Sequence, residues 1–194
     1  MMSELLLWDE QIFLWINNLH IPLFEEFAPY YRHKLLWLPL YVFLVSYFAI
    51  NYGKRGLWVI IFGLITVGLS DTASSQWIKK SVQRVRPCNT SHLQPQMIER
   101  VRCGGGYSFT SSHATNHGAL AFYFFFVLGL PRGRWQWALV AWAVSISLAQ
   151  VYVGVHYPID IICGLLLGLS IGWTTSSVFL RYFGLGPTMV SPDR

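Results

Sequence analysis

Residues 149–160 read AQVYVGVHYPID and lie between two long apolar runs, where one membrane segment would end and the next begin. The stretch carries Gln150, His156 and Asp160. Polar groups next to hydrocarbon are costly unless they have a partner or a function. The stretch therefore predicts a helical membrane protein with a functional site at one end of its helices.

The composition also indicates a membrane protein. Of the 194 residues, 54% are hydrophobic and only 12% are charged, whereas soluble domains carry about 25% charged residues. In so apolar a chain, the net charge of +5 favours anionic lipid headgroups or phosphates as partners over nucleic acid. No array of aromatic and basic residues suited to bases is present, so no nucleic-acid partner is expected, and nothing indicates a protein partner.

Five apolar segments are long enough to cross a lipid bilayer as helices, because a hydrocarbon core about 30 Å thick needs roughly 20 residues. They cover residues 35–51, 56–78, 115–130, 135–155 and 159–180. The last contains Gly164, Gly168 and Gly172, whose spacing allows close helix packing. We predict an all-α, polytopic membrane bundle of five or six transmembrane helices.

The chain is expected to form a single domain preceded by a separate N-terminal segment. Residues 1–31 are aromatic and amphipathic and are interrupted by Pro22 and Pro29, which favours interfacial or short membrane helices. Residues 32–185 would form the membrane domain, and residues 186–194 a short tail.

Positive charges in short loops predict the orientation of the helices. One loop holds Lys54 and Arg55, and another, PRGRW at 131–135, holds two arginines. Both loops fall on one side if the spans alternate, and that side is expected to be cytoplasmic. The long loop 80–112 and the turn at His156 would then face the periplasmic or extracellular side of the plasma membrane. Because the long loop is itself basic, either this orientation is wrong or function requires those charges, and we favour the second.

Two cations belong to the first polar cluster, KKSVQRVRP at 79–87. Lys79 and Arg86 are seven residues apart and would fall on nearly the same face of a helix. Pro87 disfavours helix at Arg86 and so predicts that this arginine lies at a frayed helix end. The pair suits an anion, although a patch of snorkelling side chains would give the same pattern.

A serine-rich turn precedes an apolar helix in the second cluster, YSFTSSHATNHG at 107–118. Ser111 or Ser112 is expected to cap that helix, whose free N–H groups would form an anion site. His113 would lie in the first turn and His117 one turn further along. An ordinary capping turn with an incidental histidine is the alternative.

The third cluster is the quoted stretch itself. Pro158 suits the first position of the last helix, which places Asp160 in the first turn and His156 just outside it. The carboxylate could hold one imidazole nitrogen and leave the other exposed as a nucleophile or base. Alternatively, Asp160 only stabilises the positive end of the helix dipole.

Together the three clusters supply what phosphoryl transfer through histidine needs. Fixed cations and N–H groups would meet the charge of the phosphoryl group. One histidine would attack phosphorus while the other protonates the leaving oxygen. No set of cysteine, histidine or carboxylate residues has convincing metal-ligand spacing, so neither a metal nor another cofactor is expected.

These motifs resemble those of the type-2 phosphatidic-acid phosphatase superfamily, membrane lipid phosphatases that share a helical core with vanadium haloperoxidases. The family pattern is Lys, six residues, Arg-Pro; then Pro-Ser-Gly-His; then Ser-Arg, five residues, His, three residues, Asp. The corresponding residues here are Lys79 and Arg86-Pro87; Thr110-Ser111-Ser112-His113; and Ala149-Gln150, His156 and Asp160.

The resemblance implies that His156 is the nucleophile, that Asp160 orients it, and that His113 is the general acid. The groups that would bind phosphate are Lys79, Arg86, Ser111, Ser112 and Gln150.

Gln150 stands where the family pattern has arginine. Glutamine offers hydrogen-bond donors but neither a charge nor a guanidinium fork. One hypothesis is that Arg84, Arg100 or Arg102 supplies the missing charge from the long loop. Another is that the protein binds phospholipid and turns it over poorly.

Three further polar residues have separate expectations. Asp71 lies inside an apolar segment, about 80° away from Lys79 on a helical wheel, and is expected to form an interhelical hydrogen bond. Cys88 and Cys103 could form a disulfide on an oxidising outer face.

The resemblance implies an integral membrane phosphatase that acts on a lipid phosphomonoester or diphosphate, with undecaprenyl diphosphate as the first candidate. Phosphatidylglycerophosphate, phosphatidic acid and lipid A are the alternatives. A phosphotransferase between lipids would use the same residues. A non-catalytic lipid binder or transporter would instead retain its function in the His156→Ala variant.

Overall fold

The computed structural model describes residues 2–129 and 136–185, and in these ranges the chain is helical without any strand. The helices are α1 (Met2–Asn17), α2 (Pro22–Tyr31), α3 (Leu38–Asp71), α4 (Lys79–Val82), α5 (Ser112–Leu128), α6 (Gln136–Tyr152) and α7 (Pro158–Tyr182). A 3₁₀ turn, Lys34–Trp37, precedes α3, and a π-helix, Thr72–Ile78, joins α3 to α4. The loop 131–135 and the tail 186–194 lie outside the described residues.

Helix α3 consists of two helical segments that meet at Gly53, whose φ of +52° and ψ of −127° are not helical. At Gly56 an added Cβ would lie 1.9 Å from the carbonyl oxygen of Phe48. Residues eight apart in a straight helix are about 12 Å apart, so the chain bends back sharply here. The bend separates the segments predicted at 35–51 and 56–78.

Two stretches are long and apolar enough to cross a membrane, Lys34–Asn89 and Pro158–Tyr182. Helices α5 and α6 have 17 residues each, which corresponds to about 26 Å at the rise of an α-helix. The total of five or six spans therefore stays a prediction.

Helices α5 and α7 pack backbone against backbone. A Cβ added at Gly164, Gly168 or Gly172 would lie 2.9, 2.6 or 2.5 Å, respectively, from a carbonyl oxygen of the α5 segment. Ser111, just before α5, also donates its N–H to the carbonyl oxygen of Asp160 at 3.1 Å. The close packing predicted from the glycine spacing is thus confirmed.

Helix α1 is amphipathic and packs its polar face inward. Asp9, Phe13 and Asn17 are buried, and their four-residue spacing places them on one face of the helix. Trp8 and Trp15 are exposed by 64% and 67%, which leaves the opposite face available to lipid. The buried face lies against the N-terminal end of α7, where Ile159 donates its N–H to Asp9.

Candidate active site

His156 lies immediately before α7 and is held on both ring nitrogens. Its Nδ1 is 3.4 Å from Oδ2 of Asp160, and its Nε2 is 3.4 Å from Nη1 of Arg86. Because a carboxylate accepts and a guanidinium donates, the matching tautomer carries its proton on Nδ1. The lone pair on Nε2 then points toward Arg86.

Burial lowers the pKa of His156 to about 4, with Asp160 acting in the opposite direction. The imidazole is therefore neutral at neutral pH, which is the form that can act as a nucleophile.

Asp160 is fixed by the start of its own helix. Its Oδ2 accepts the N–H of Tyr157 at 2.9 Å in a capping box, and Oδ1 accepts Arg84 Nη1 at 2.8 Å. Arg84 Nη2 is in turn 2.6 Å from Oδ2 of Asp9. The guanidinium of Arg84 is thus shared between two buried carboxylates, and both of its terminal nitrogens are engaged.

The segment with the first two cations is not a continuous helix. Helix α4 ends at Val82, Gln83 adopts a left-handed conformation with φ +53°, and Arg86 is extended with φ −71° and ψ 150°. The prediction that Lys79 and Arg86 share a helix face is therefore wrong. They approach the same site because the chain turns at Gln83.

Backbone carbonyl groups hold both cations and leave some of their donors free. Lys79 Nζ donates to the carbonyl oxygens of Tyr107 and Ser108 at 2.9 and 3.3 Å. Arg86 Nη1 donates to the carbonyl oxygen of Val155 at 3.2 Å. In the described parts of the chain, the third ammonium proton of Lys79 and Nη2 of Arg86 have no acceptor, so they remain available to an anion.

Ser111 caps α5, and its Oγ accepts the N–H of Ala114 at 3.4 Å. Ser112 Oγ lies 2.9 Å from Ser75 Oγ. The N–H groups of Ser112 and His113 belong to the first turn of the helix and have no intrahelical acceptor. These N–H groups lie where the anion site was expected, and binding of an anion there stays a prediction.

His113 is half-buried in the first turn of α5, and no hydrogen bond of its ring occurs within the described residues. His117, one turn further, stacks on it with ring centroids 6.1 Å apart. His117 Nδ1 donates to the carbonyl oxygen of His113 at 2.8 Å, and its Nε2 lies 3.4 Å from Tyr41 Oη. The ring of His113 is therefore free to exchange a proton with a ligand, whereas that of His117 is engaged.

A cavity of about 600 Å³ is lined by residues of α3 and α5 and includes His113 in its wall. Ser112 and His113 line its polar end, and Leu64, Leu120 and Phe124 line its apolar part. A hydrocarbon chain can occupy such a cavity while its polar end reaches His113.

Gln150 is fully buried in the last turn of α6. Neither its amide nitrogen nor its amide oxygen has a hydrogen-bond partner among the residues that the structure describes. Within the described parts of the chain, no hydrogen bond joins its side chain to another predicted phosphate-binding group, and its contact with phosphate stays a prediction.

The arginines proposed to compensate for Gln150 are placed elsewhere. Arg100 donates to Glu25 at 2.8 Å and to the carbonyl oxygen of Tyr152 at 3.0 Å, and Arg102 is exposed. Together with the pairing of Arg84, these positions disfavour all three candidates.

Arg32 was missed by the sequence reasoning. It follows α2, is half-buried, and has no side-chain hydrogen bond or ion pair within the described residues. It lies within electrostatic range of Arg86 and His113. Burial, followed by the charge of Arg86, lowers the pKa of its guanidinium. No local motif marks Arg32, because its neighbours in the site are distant in sequence.

The segment that carries Arg32 is anchored on both sides. Tyr31 Oη lies 2.6 Å from Ser145 Oγ on α6, and Trp37 Nε1 donates to the carbonyl oxygen of Tyr31 at 2.9 Å. Lys34 lines the same cavity as His113. The connection from α2 to α3 is thus fixed beside the polar end of the cavity.

Two structural contacts concern the remaining predictions. Asp71 Oδ1 accepts a hydrogen bond from Asn116 Nδ2 of α5 at 3.0 Å, so the predicted interhelical hydrogen bond is confirmed.

Cys88 and Cys103 form a disulfide with a Cα–Cα distance of 5.9 Å. The bridge ties the segment that follows Arg86 to the loop that leads to Ser111.

The chain matches a known protein family. The PAP2 superfamily matches residues 56–183. The chain is 31% identical to a lipid A 4'-phosphatase of Bacteroides thetaiotaomicron over 169 residues, which is 85% of this chain and 74% of the relative. It is 29% identical to an undecaprenyl-diphosphatase of Sulfolobus acidocaldarius over 159 residues, 78% of this chain and 68% of the relative.

The fold is also similar to that of a solved structure, the PAP2-type phosphatidylglycerolphosphate phosphatase from Bacillus subtilis. The TM-score is 0.67 at 21% identity, and the match covers 92% of this chain and 88% of that chain. The predicted all-helical fold of a membrane phosphatase is thereby confirmed.

Proposed function

The chain belongs to the PAP2 superfamily, whose members are membrane lipid phosphatases, and on this premise we propose that it hydrolyses its lipid phosphate through a phosphohistidine. The geometry of His156 carries the proposal. The ring is buried and neutral, Asp160 holds its Nδ1, and its Nε2 faces a guanidinium that can bind phosphate.

In the first step, Nε2 of His156 attacks phosphorus and the bond between phosphorus and the lipid oxygen breaks. Burial lowers the pKa of His113 to about 3, and the negative charge of the bound phosphate would raise that pKa and favour the protonated ring. Protonated His113 donates its proton to that leaving oxygen, which gives a free lipid product and a phosphorylated His156. In the second step, water attacks phosphorus and gives a proton to His113. The P–N bond breaks, and inorganic phosphate leaves.

The charge of the transferring phosphoryl group would be met by fixed donors. Lys79 and Arg86 keep unused N–H groups, and the first N–H groups of α5 are unpaired. Arg32 would contribute the further positive charge that Gln150 does not provide. Preorganised donors of this kind stabilise a transition state without further reorganisation.

Among substrates, we place a lipid A-type phosphomonoester first and undecaprenyl diphosphate second, which reverses the order favoured by the sequence alone. The relative named as a lipid A 4'-phosphatase aligns with 85% of this chain, and the one named as an undecaprenyl-diphosphatase with 78%. Both substrate classes have hydrocarbon chains that suit the apolar cavity beside His113.

The site would face the outer side of the plasma membrane. The positive charges of Lys54 and Arg55 at the bend of α3 support this orientation. The Cys88–Cys103 disulfide supports it as well, since disulfides persist mainly in oxidising compartments.

The test is phosphate release by purified protein in detergent, with a chelator present, from a lipid A 4'-phosphate, undecaprenyl diphosphate and phosphatidylglycerophosphate. The His156→Ala variant serves as the control. Chelator-resistant release that the substitution abolishes is expected. Binding of lipid without release by either protein would favour the binder or transporter instead.

Mass spectrometry of the products identifies the phosphoryl acceptor. Inorganic phosphate is expected as the product. Phosphate transferred to a second lipid would identify a phosphotransferase that uses the same residues.

A further inference from the structure

We infer that Asp9 is a positioning residue for this reaction: from helix α1 it sets the charge of the Arg84–Asp160 pair and, through that pair, the basicity of His156. The inference rests on the proposed histidine mechanism. It assigns a role to a segment that lies outside the residues matched by the family.

Both carboxylate oxygens of Asp9 are used at the site. Oδ2 accepts Arg84 Nη2 at 2.6 Å, and Oδ1 accepts the N–H of Ile159 at 2.8 Å. Ile159 immediately precedes Asp160, whose Oδ1 accepts Arg84 Nη1 at 2.8 Å. Asp9 therefore contacts both the partner of Asp160 and the backbone that carries Asp160.

Burial makes these contacts strong. The side chains of Asp9 and Asp160 are 0% exposed, and that of Arg84 is 17% exposed. The Arg84 guanidinium also lies 3.8 Å above the ring of Tyr157, the residue next to His156. Held on three sides, Arg84 has little freedom to leave Asp160.

The charges explain why Asp9 matters chemically. The carboxylates of Asp9 and Asp160 and the guanidinium of Arg84 together have one net negative charge. Asp160 places this charge next to Nδ1 of His156. A negative charge there favours protonation of imidazole and so makes Nε2 more basic. The other charged or titratable groups around His156 are Arg86, Lys79 and His113, and the two cations act in the opposite direction.

Asp9→Asn removes the charge and keeps an oxygen for the N–H of Ile159, while its N–H₂ group replaces the oxygen that accepts from Arg84 Nη2. The group formed with Arg84 and Asp160 then becomes neutral. We expect the pKa of His156 to fall by roughly one unit, the size expected when one nearby charge is lost. We expect kcat to fall about tenfold, with KM unchanged, because Asp9 does not touch the substrate.

Two further variants separate charge from structure. Asp9→Glu keeps the charge and is expected to retain most of kcat. The double variant Asp9→Asn/Arg84→Gln leaves only the charge of Asp160, so the pKa of His156 is expected to return toward its original value. A purely structural role of Asp9 predicts that the double variant is at least as impaired as Asp9→Asn.

The matched control is Glu10→Gln. Glu10 is the next residue, but it pairs with the exposed His92 at 3.0 Å and forms no hydrogen bond or ion pair with Arg84. Its substitution is expected to leave kcat and the titration of His156 unchanged.

The experiment combines histidine NMR titration in detergent micelles with phosphate release for each variant. An unchanged His156 titration in Asp9→Asn would overturn the inference, as would a double variant that does not recover. If the wild type releases no phosphate, the proposed function fails, but the titration still tests the role of Asp9. If His156→Ala abolishes release and Asp9→Asn leaves the titration unchanged, only the present inference fails.

Discussion

Nδ1 of His156 lies 3.4 Å from Oδ2 of Asp160, and the same oxygen accepts the backbone N–H of Tyr157 at 2.9 Å. The backbone thus holds the carboxylate of Asp160 in place independently of its contact with the imidazole. This arrangement selects the tautomer with a lone pair on Nε2.

Asp160→Asn tests the selection of the tautomer. An amide N–H₂ facing Nδ1 would favour the tautomer with its proton on Nε2, where the attack on phosphorus must occur. We expect kcat to fall roughly 10²- to 10⁴-fold, as for the equivalent change in serine proteases, while the protein stays folded. Steady-state phosphate release measures the effect, and a kcat within threefold of the wild type would contradict it.

His156 also links stability to pH. Its pKa is about 4 in the folded protein, below its ordinary value of 6.5, so the unfolded chain takes up this proton first. Neutral His156 contributes about 3 kcal/mol to the free energy of unfolding. This contribution is complete above about pH 6.5 and is lost as the pH falls toward 4. Melting curves in detergent should show that His156→Gln loses less stability than the wild type as the pH falls over this range. Equal losses of stability in the two proteins would contradict the prediction.

Arg32→Ala tests whether the arginine compensates for Gln150. Loss of a guanidinium that meets the transition-state charge is expected to lower kcat/KM by roughly 10²-fold. Arg32→Lys should recover part of this loss. Arg55→Ala, which removes an exposed cation just after the bend at Gly53, is the control and should have no effect.

Gln150→Leu is expected to separate stability from phosphate binding. Two buried amide atoms have no partner among the described residues, and each unpaired buried group costs about 1–3 kcal/mol. The phosphate-free variant should therefore melt at a higher temperature than the wild type. Added phosphate should raise the melting temperature of Gln150→Leu by less than that of the wild type. An equal rise in both proteins would show that Gln150 does not contact the anion.

Removal of the disulfide should weaken the loop between Arg86 and Ser111. The bridge closes 15 residues of chain, and such a closure contributes about 3 kcal/mol in the chain-entropy model. The double variant Cys88→Ser/Cys103→Ser should lose a comparable free energy of unfolding and part of its activity. Cys163→Ser, which removes the free cysteine of α7, should lose neither.

The parts of the site that are local in sequence could be predicted. Asp160 follows His156 by one helical turn, and a serine cap precedes His113, so the pattern itself places these groups. The glycine spacing of α7 likewise predicted a close helix contact, because every fourth residue returns to the same face.

The parts that depend on distant residues could not be predicted. Asp9 meets Arg84 and Ile159 across 75 and 150 residues of chain, and no periodicity connects such partners. Arg86 was misplaced for a different reason. The turn at Gln83 requires the left-handed backbone conformation. Glutamine rarely adopts it, so the sequence does not predict a turn within an apparently helical stretch.

Backbone contact between α5 and α7 has a consequence for the behaviour of the enzyme in different lipids. Bilayers of different thickness make spanning helices tilt. With carbonyl groups of α5 seated directly on Gly168 and Gly172, the two helices should tilt as one body. The spacing between His113 and His156 would then be preserved in thin and thick membranes alike.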